Sequence, residues 1–350
     1  MSVFDHLEFD GHEQVAFFKD KKTGLQAIIA VHNTNLGPSL GGCRMWPYAS
    51  SEEALNDVLR LSKGMTYKAA MAQLKLGGGK AVIIGDPRKQ KSPELMAAMG
   101  TFVEQMGGRY ITAEDSGIAV SDIKIMAENT AHVSGIQAKY RVDGGEADGN
   151  PAPSTAYGVF KGLEASVNYA LGSDLKGVKV AVQGMGHVGF RLAEHLYQHG
   201  AELYVTDIYP DNVNLAVEKF AATAVSPDDI FDLDVDVYAP CAMGASVNQQ
   251  TLNRIKAKVI AGAANNQLAR ESMGELLREK GVLYAPDYVI NAGGVIDIYH
   301  QRMLSTAEAM RSHIEGIADT LTQIYERAEA EQQPTNVISN RMAEERFLSE

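Results

Sequence analysis

The chain has 350 residues, and 44 acidic against 32 basic side chains give it a formal net charge of -12. This negative balance disfavours binding to nucleic-acid phosphates and to anionic membrane surfaces, because both need a basic face. The length exceeds what one hydrophobic core usually spans, so we expect two domains. The two cysteines, Cys43 and Cys241, lack metal-ligand spacing, so no metal site is expected.

The N-terminal segment carries acidic residues where a signal peptide carries basic residues and an apolar run. No segment approaches the roughly 18 uninterrupted apolar residues that a membrane-spanning helix needs. Together with the low cysteine content, these features predict a cytoplasmic protein.

The first third of the chain alternates predicted strands and helices. Strands are predicted at Gln14–Lys19 and at residues 25–32, and a polar, glycine-containing loop at residues 33–42. A helix begins at Ser51, because a Ser-Glu-Glu start suits both capping and the helix dipole. Residues 76–80 (LGGGK) are predicted to form a tight loop that leads into a buried strand.

Further along, Ser92 is expected to cap a second helix, and residues 110–112 to form a strand that ends in a loop at 113–117. Residues 142–153 (VDGGEADGNPAP) are the best candidate for a linker between domains. After it, predicted strands alternate with helices, which favours a parallel sheet with crossover helices. A long helix is predicted at residues 305–330.

Residues 178–207 have the pattern of a dinucleotide-binding unit. An apolar strand, residues 178–183, runs directly into a glycine-rich turn, an amphipathic helix follows at 190–198, and a second strand, 201–206, ends at an acidic residue. In this pattern the first glycine permits the turn, the second lets the backbone approach a pyrophosphate, and the third lets helix and strand pack closely. The residues expected to contact the cofactor are Gly184, Met185, Gly186, His187, Val188, Gly189 and Asp207.

Asp207 follows Gly189 by 18 residues, close to the spacing typical of this motif. Its carboxylate is expected to bind the adenosine ribose hydroxyls and to repel a 2′-phosphate, which favours NAD over NADP. The alternatives are a glycine turn that binds no ligand and a strand-end acid that lies in solvent. The coincidence of strand, turn, helix and acid favours the dinucleotide.

Three polar residues of the first half stand in otherwise apolar surroundings: Lys68, Lys80 and Asp115. Two lysines and a carboxylate that converge on a cleft would give one fixed cation and one lysine suited to act as a general base. Taken singly, each is more often a surface residue. Three glycines precede Lys80, so we expect that the backbone there comes close to a substrate.

Seven segments carry a longer pattern: LGPSLGGCRMWPY (36–48), GMTYKAA (64–70), LGGGKAVIIGDP (76–87), ITAED (111–115), AVQGMGHVG (181–189), IAGAANNQL (260–268) and YAPDYVINAGGV (284–295). In these segments the chain resembles the glutamate, leucine, phenylalanine and valine dehydrogenases, almost end to end, and leucine dehydrogenase most closely. The resemblance implies NAD-dependent oxidative deamination of an L-amino acid to its 2-oxo acid and ammonia.

The resemblance also implies an α/β fold with two domains separated by a cleft. Residues 1–140, joined by the tail 331–350, would form an N-terminal substrate and oligomerisation domain, and residues 141–330 a Rossmann domain that binds NAD. The partners would be small molecules and further copies of the chain. A dimer is at least as well supported as an octamer, because the chain ends at Glu350 without a longer basic tail.

Individual roles follow from the same resemblance. Lys68 would bind the substrate carboxylate, Lys80 would activate water as the general base, and Asp115 would relay protons to and from the amino nitrogen. The resemblance implies that Gly41, Asn265 and Asn266 contact the substrate. It implies that Thr155 and Asn291 bind the nicotinamide carboxamide. Without the resemblance, loop asparagines that satisfy backbone groups in turns would be the simpler interpretation.

The substrate side chain would contact four apolar residues: Leu40, Ala113, Val295 and Ile298. An apolar pocket disfavours glutamate, whose second carboxylate would lack a partner. Alanine at 113 and valine at 295 favour leucine, isoleucine and valine over aromatic side chains. The alternatives are an aromatic amino-acid dehydrogenase, for phenylalanine or tryptophan, and a catalytically silent NAD-binding protein.

Overall fold

The computed structural model describes residues 3–136, 142, 150–242 and 244–348, and this part of the chain is built around two β-sheets. The strands are β1 (Gln14–Lys19), β2 (Gln26–Asn33), β3 (Ser39–Trp46), β4 (Gly77–Ile84), β5 (Tyr110–Ala113), β6 (Lys179–Gln183), β7 (Glu202–Thr206), β8 (Thr223–Ala224), β9 (Val237–Pro240), β10 (Val259–Ile260) and β11 (Leu283–Tyr284). The helices are α1 (Ser51–Met71), α2 (Pro93–Gln105), α3 (Val120–Met126), α4 (Ala152–Leu171), α5 (His187–Gln198), α6 (Pro210–Phe220), α7 (Gln249–Leu252), α8 (Met273–Glu279), α9 (Asp287–Ile290), α10 (Gly293–Arg302), α11 (Ala307–Glu331) and α12 (Thr335–Leu348).

The first sheet has the strand order β1-β2-β4-β3-β5. β1 and β2 pair antiparallel, as do β2 and β4, whereas β3 runs parallel to both β4 and β5. Parallel strands end at the same edge of a sheet, so the residues that follow β5 lie beside the second half of β3. This edge of the sheet carries the candidate catalytic groups.

Two predictions in this region are wrong. The segment predicted as a loop at 33–42 contains the first half of β3, which pairs with β4 on one side and β5 on the other. The segment LGGGK, predicted as a tight loop, is mostly the start of β4, and Gly77 to Lys80 are buried strand residues. Both segments are rich in glycine and poor in β-branched residues, and their extended conformation is imposed by the neighbouring strands.

Helix α1 lies directly on β4. A side chain at Gly78 would place its Cβ 2.0 Å from the backbone nitrogen of Thr66, so only glycine permits this approach. The glycines before Lys80 therefore serve packing within the protein, and the approach of this backbone to a substrate stays a prediction. Because α1 extends to Met71, it also carries Lys68 in its last turn.

The second sheet is entirely parallel, as predicted, with the order β11-β10-β9-β6-β7-β8. Counted from β6, this is the strand order of a Rossmann fold, in which the chain reverses direction across the sheet between β6 and β9. Ligands of such sheets bind at this switch point, beyond the carboxyl ends of the strands. The glycine-rich turn follows β6 at that position.

The two sheets are connected by helices. α11 packs on α4, and the C-terminal α12 returns to pack on α1, where the Tyr67 hydroxyl donates to Glu344 at 2.7 Å. One apolar cluster includes residues from both halves of the chain, among them Leu40, Ile111 and Val295. Most of the predicted linker, residues 143–149, lies outside the described residues. No helix of the described part is long and apolar enough to cross a membrane.

Two buried histidines fix α1 against the first sheet. His12 accepts from the Asp10 backbone N–H through Nδ1 at 3.2 Å and donates to the Leu59 carbonyl through Nε2 at 3.1 Å. His32 bonds Thr66 Oγ1 at 2.8 Å. His12 therefore uses both ring nitrogens as a neutral imidazole. Burial lowers the pKa of both rings, and that of His32 falls to about 4.

We predict that the protein loses stability between pH 7 and pH 5 because of His32. In this interval the unfolded state binds a proton that the folded state does not, so the free energy of unfolding falls as the pH falls, by about 2 kcal/mol at pH 5 for His32 alone. Denaturant titrations at both pH values will measure the effect. His32→Asn should flatten the dependence, whereas replacement of the exposed His199 by asparagine should preserve it. An unchanged slope in His32→Asn would contradict the assignment.

Candidate active site

The structure brings Lys80 and Asp115 into direct contact. Lys80 projects from β4, and its Nζ lies 2.5 Å from Asp115 Oδ2, just beyond the end of β5. The lysine side chain is 8% exposed and the aspartate side chain 22% exposed, so the pair is largely shielded from water and open on one side. A lysine and a carboxylate at this distance can exchange a proton directly.

The charge of Asp115 is set by opposing effects. Burial raises its pKa, but the cations of Lys80 and Arg44 lower it by more, and the net result is a pKa of about 2. Arg44 Nε lies 3.2 Å from the same Oδ2 atom that Lys80 contacts. Asp115 is therefore a carboxylate at neutral pH, held by two cations that come from different strands.

Gly42 makes the space for this pair. A Cβ at Gly42 would lie 2.7 Å from the Asp115 Cβ and 3.3 Å from Lys80 Nζ. Gly42 pairs with Ala113 in the sheet, which places it beside the end of β5. Gly42 is not among the site residues that the sequence predicted. The double glycine within LGGCR was the signal that could have identified it.

Lys68 lies in the last turn of α1, in the electrostatic range of Lys80, Asp115 and Asp287. Burial and the Lys80 cation lower its pKa, the nearby carboxylates raise it, and the net value is about 8. Among the described residues, no carboxylate oxygen lies within 4.0 Å of Lys68 Nζ, the distance that defines an ion pair. Lys68 is thus a half-buried cation without a direct counter-ion, as the binding of a substrate carboxylate requires.

The four apolar residues expected to contact the substrate side chain come from both halves of the chain. Leu40 and Val295 are buried in one cluster, and Ile298 packs against it. Ala113 is buried on β5. Gly41 packs against β4, and its carbonyl accepts a hydrogen bond from Tyr110 at 2.7 Å. The contact of the Gly41 backbone with a substrate stays a prediction.

The glycine-rich turn has the geometry of a phosphate site. Gly184 has φ +99°, and a Cβ at Gly189 would lie 1.9 Å from the Gly184 carbonyl, so glycine is required at both positions. Gly186 is the N-terminal cap of α5, which has no side-chain cap there. Gly186 and His187 are exposed and Val188 is half-buried. The free N–H groups of this helix start can bind an anion.

Asp207 supports the turn as well as facing it. Its Oδ2 accepts from the Met185 N–H at 2.6 Å, and its Oδ1 accepts from the Tyr209 N–H at 2.9 Å. A carboxylate has about four acceptor positions, so both oxygens can still accept from ribose hydroxyls. The turn and the acid thus form one unit, a connection that the sequence spacing alone did not reveal.

Asn291 has an open hydrogen-bonding position suited to a carboxamide. Its Nδ2 donates to Asn265 Oδ1 at 2.8 Å and to the Ala263 carbonyl at 3.1 Å, but its buried Oδ1 has no donor among the described residues. A buried acceptor without a partner is costly, and an amide N–H of a ligand would satisfy it. Asn291 therefore fits a nicotinamide.

Thr155, Asn265 and Asn266 complete the set of residues predicted to contact the substrate or the cofactor. Thr155, in the first turn of α4, donates to the Pro151 carbonyl at 3.0 Å and lies against Gly294 at the start of α10. Asn266 has φ +52° and accepts from the Ala245 N–H through its backbone carbonyl. Asn265 accepts the hydrogen bond from Asn291 described above. The Asn266 side chain has no hydrogen bond among the described residues.

Two family models match the chain. Residues 12–132 match the dimerisation domain of the Glu/Leu/Phe/Val dehydrogenases, and residues 144–209 and 205–348 match the Glutamate/Leucine/Phenylalanine/Valine dehydrogenase model. A leucine dehydrogenase from Thermoactinomyces intermedius is 50% identical over 99% of this chain and 94% of its own length. A phenylalanine dehydrogenase from Caldalkalibacillus thermarum is 45% identical, over 99% and 94% respectively.

Among solved structures, the L-tryptophan dehydrogenase of Nostoc punctiforme superposes with a TM-score of 0.85 at 43% identity, and the match covers 97% of this chain and 96% of the other. The fold, the glycine-rich turn and these matches define an oxidoreductase of the amino-acid dehydrogenase class, which works with a nicotinamide cofactor. The chain belongs to the Glutamate/Leucine/Phenylalanine/Valine dehydrogenase family.

We predict that Gly42→Ala abolishes most of the activity. The added methyl group would overlap the Glu114 carbonyl oxygen and the Asp115 Cβ and push the carboxylate away from Lys80, which should lower kcat by about 100-fold or more. Gly316→Ala is the matched control, because a Cβ at Gly316, inside α11, meets open space. Steady-state kinetics and thermal unfolding of both variants test this. Wild-type kcat in Gly42→Ala would show that the pair tolerates displacement.

Proposed function

We propose that this protein catalyses the NAD-dependent oxidative deamination of branched-chain L-amino acids, with leucine, isoleucine and valine as substrates. The products are the 2-oxo acid, ammonia, NADH and a proton, and one water is consumed. The observation that carries the proposal is the shielded Lys80–Asp115 pair at 2.5 Å, next to a lysine without a direct counter-ion. Acid–base groups and a carboxylate clamp are what this reaction needs.

Each residue has a distinct task in this proposal. Lys68 binds the α-carboxylate of the amino acid, which fixes the Cα–H in one orientation. The bound cofactor would accept a hydride from Cα. The amino nitrogen gives up a proton as the substrate becomes an imine, and Asp115 is the carboxylate placed to receive and return protons at that nitrogen.

Water then completes the reaction. Lys80, unprotonated at this stage, takes a proton from water while the water oxygen bonds the imine carbon. The nitrogen receives a proton from Asp115, and Lys80 passes the proton it took from water to the Asp115 carboxylate. Lys80 then takes the hydroxyl proton as the carbon–nitrogen bond breaks, so that ammonia leaves and the carbonyl forms. The direct contact between Lys80 and Asp115 lets the proton taken from water be passed on within the site.

NAD is proposed over NADP because of Asp207. The carboxylate lies at the glycine-rich turn, where the free N–H groups of α5 would hold a pyrophosphate, and it would repel a second anionic group on the ribose. The open acceptor on Asn291, with Thr155 close to the start of α10, is the proposed contact for the carboxamide.

The substrate class rests on the apolar residues Leu40, Ala113, Val295 and Ile298, none of which can pair with a second carboxylate. Alanine at 113 and valine at 295 leave room for a branched aliphatic side chain and restrict an aromatic ring. The similarity to a leucine dehydrogenase supports the same class. We also propose a homo-oligomer, because residues 12–132 match a dimerisation domain and Phe17 is exposed on the edge strand β1.

The substrate profile tests this proposal. NADH formation should be fastest with leucine, isoleucine and valine, and kcat/KM for glutamate should be lower by about 100-fold or more, because a buried carboxylate would be unpaired. Lys80→Ala should lose at least about 100-fold in kcat, while Lys89→Ala, at an exposed lysine, should not. A rate with phenylalanine or tryptophan far above that with leucine would establish the aromatic alternative. No turnover with any amino acid would leave only a silent NAD-binding protein.

We predict that Asp207→Asn narrows the preference for NAD. Asparagine can keep the bond to the Met185 N–H but carries no charge, so a 2′-phosphate is no longer repelled, and the ratio of kcat/KM for NAD to that for NADP should fall by about 10-fold. Asp211→Asn, at an exposed acid in the first turn of α6, is the control. An unchanged ratio in Asp207→Asn would place the source of cofactor preference elsewhere.

A further inference from the structure

Arg44 holds the same oxygen of Asp115 that Lys80 contacts. It projects from β3, and its Nε lies 3.2 Å from Asp115 Oδ2. From the other end of the guanidinium, Nη1 lies 2.9 Å from Asp57 Oδ2 on α1. Its side chain is 24% exposed, so the group is largely removed from solvent. The planar guanidinium thus bridges two carboxylates and fixes one relative to the other.

Asp57 is itself held from two further directions. The Tyr48 hydroxyl donates to Oδ2 at 2.7 Å, and Arg60 Nη2 lies 3.0 Å from Oδ1. Neither Tyr48 nor Arg60 has a hydrogen bond or ion pair to Asp115 among the described residues. Arg44 is therefore the member of this group that reaches the catalytic pair, and the others set its orientation.

The pair needs such a group because Lys80 cannot be a constant counter-ion. In the proposed reaction Lys80 is unprotonated when it takes the proton from water. Asp115 then has to give its proton to the nitrogen and become a carboxylate, which burial opposes while the nearest cation is missing. Arginine keeps its charge throughout the pH range of proteins, so Arg44 is a counter-ion that the reaction does not remove.

We infer that Arg44 is a positioning residue that orients Asp115 and stabilises its carboxylate form when Lys80 is neutral, and that Asp57 holds Arg44 in this position. This inference rests on the proposed function, because it assigns Arg44 a task in the same proton transfers. Arg44 does not exchange protons itself. Its loss should therefore change kcat and its pH dependence more than the KM for the amino acid.

Few other titratable groups can contribute to the pH dependence of Asp115. Among the described residues, the groups that face it are Lys80 on β4, Arg44 and Cys43 on β3, Tyr48 just after β3, Tyr110 on β5 and Lys68 on α1. Burial raises the pKa of the Cys43 thiol and of the Tyr48 and Tyr110 hydroxyls, so all three stay neutral. The local charge is thus set by the two lysines and Arg44, and Arg44 is the permanent cation among them.

The test is the pH profile of kcat for leucine oxidation in the full-length protein. Removal of a fixed positive charge favours protonation of the groups around it, so Arg44→Met should move the acidic limb upward by about one pH unit or more. Its kcat should fall by about 10- to 100-fold with a smaller change in KM. Arg44→Lys keeps a charge but cannot bridge two carboxylates, so kcat should fall while the limb stays near its wild-type position.

Two variants at residues that are not paired with Asp115 separate the effect of charge from the effect of orientation. Arg60→Met removes a cation from Asp57 without touching Asp115 and should keep the wild-type limb. Asp57→Asn removes an anion, so it should lower kcat by loosening Arg44 without raising the limb. Thermal unfolding establishes that each variant folds; should Arg44→Met fail to fold, Arg44→Lys and Asp57→Asn decide the question through their predicted losses of kcat.

An acidic limb that stays in place in Arg44→Met, or that moves equally in Arg60→Met, would overturn the inference. Wild-type kcat in both Arg44→Lys and Asp57→Asn would do the same. Failure of the proposed function looks different, because the wild-type protein would then oxidise no amino acid, or Lys80→Ala would retain full turnover.

Discussion

The candidate active site on the first sheet depends on one charged contact, the ion pair between Lys80 and Asp115. Burying two charges is costly unless the geometry is good and the remaining hydrogen-bonding positions are satisfied. The structure meets this condition through the first sheet, where β3 lies between β4 and β5 and supplies both Arg44 and the space at Gly42. A sheet of paired strands is stiff, so the pair is held in place before any substrate arrives, and little reorganisation is needed during the reaction.

A second constraint follows from the first, because the substrate has to be held next to this pair. Lys68 comes into range only because α1 lies directly on β4, an approach that Gly78 permits. The same helix carries Asp57, which orients Arg44, and contacts His12 and His32. One helix thus links Lys68, the proposed substrate clamp, with Asp57, which orients Arg44, and with the core of the first sheet, so a shift of α1 would disturb all three together.

The sequence predicted the local structure of the glycine-rich turn well and the strands of the first sheet less well, and the difference has a physical cause. The glycine-rich turn is a local motif, in which strand, turn, helix and acid lie within about thirty residues and each has its own sequence signal. The strand β3 has no such signal, because its glycines and single arginine suit a loop until β4 and β5 pair with it. Arg44 and Asp115 are 71 residues apart in sequence, and only the sheet register reveals that they meet. Lys80 and Asp115 stood out as polar residues in apolar segments, and the resemblance supplied their expected roles, but their contact could not be read from spacing.

The residues proposed to select the substrate lie in different parts of the chain from those proposed to catalyse the reaction. The groups proposed for acid–base catalysis all come from the first sheet and α1, whereas the apolar residues proposed for the side-chain pocket come from both halves: Leu40 from β3, Val295 and Ile298 from α10. α10 also begins at Gly293 and Gly294, where the chain packs against Ser154 and Thr155 of α4. A substitution in the pocket therefore acts on the packing between the two halves as well as on the side chain bound. Because a single methylene in an apolar pocket changes selectivity by only about 10- to 200-fold, small adjustments of this packing are enough to move the preference among leucine, isoleucine and valine while Lys80, Asp115 and Arg44 stay in place.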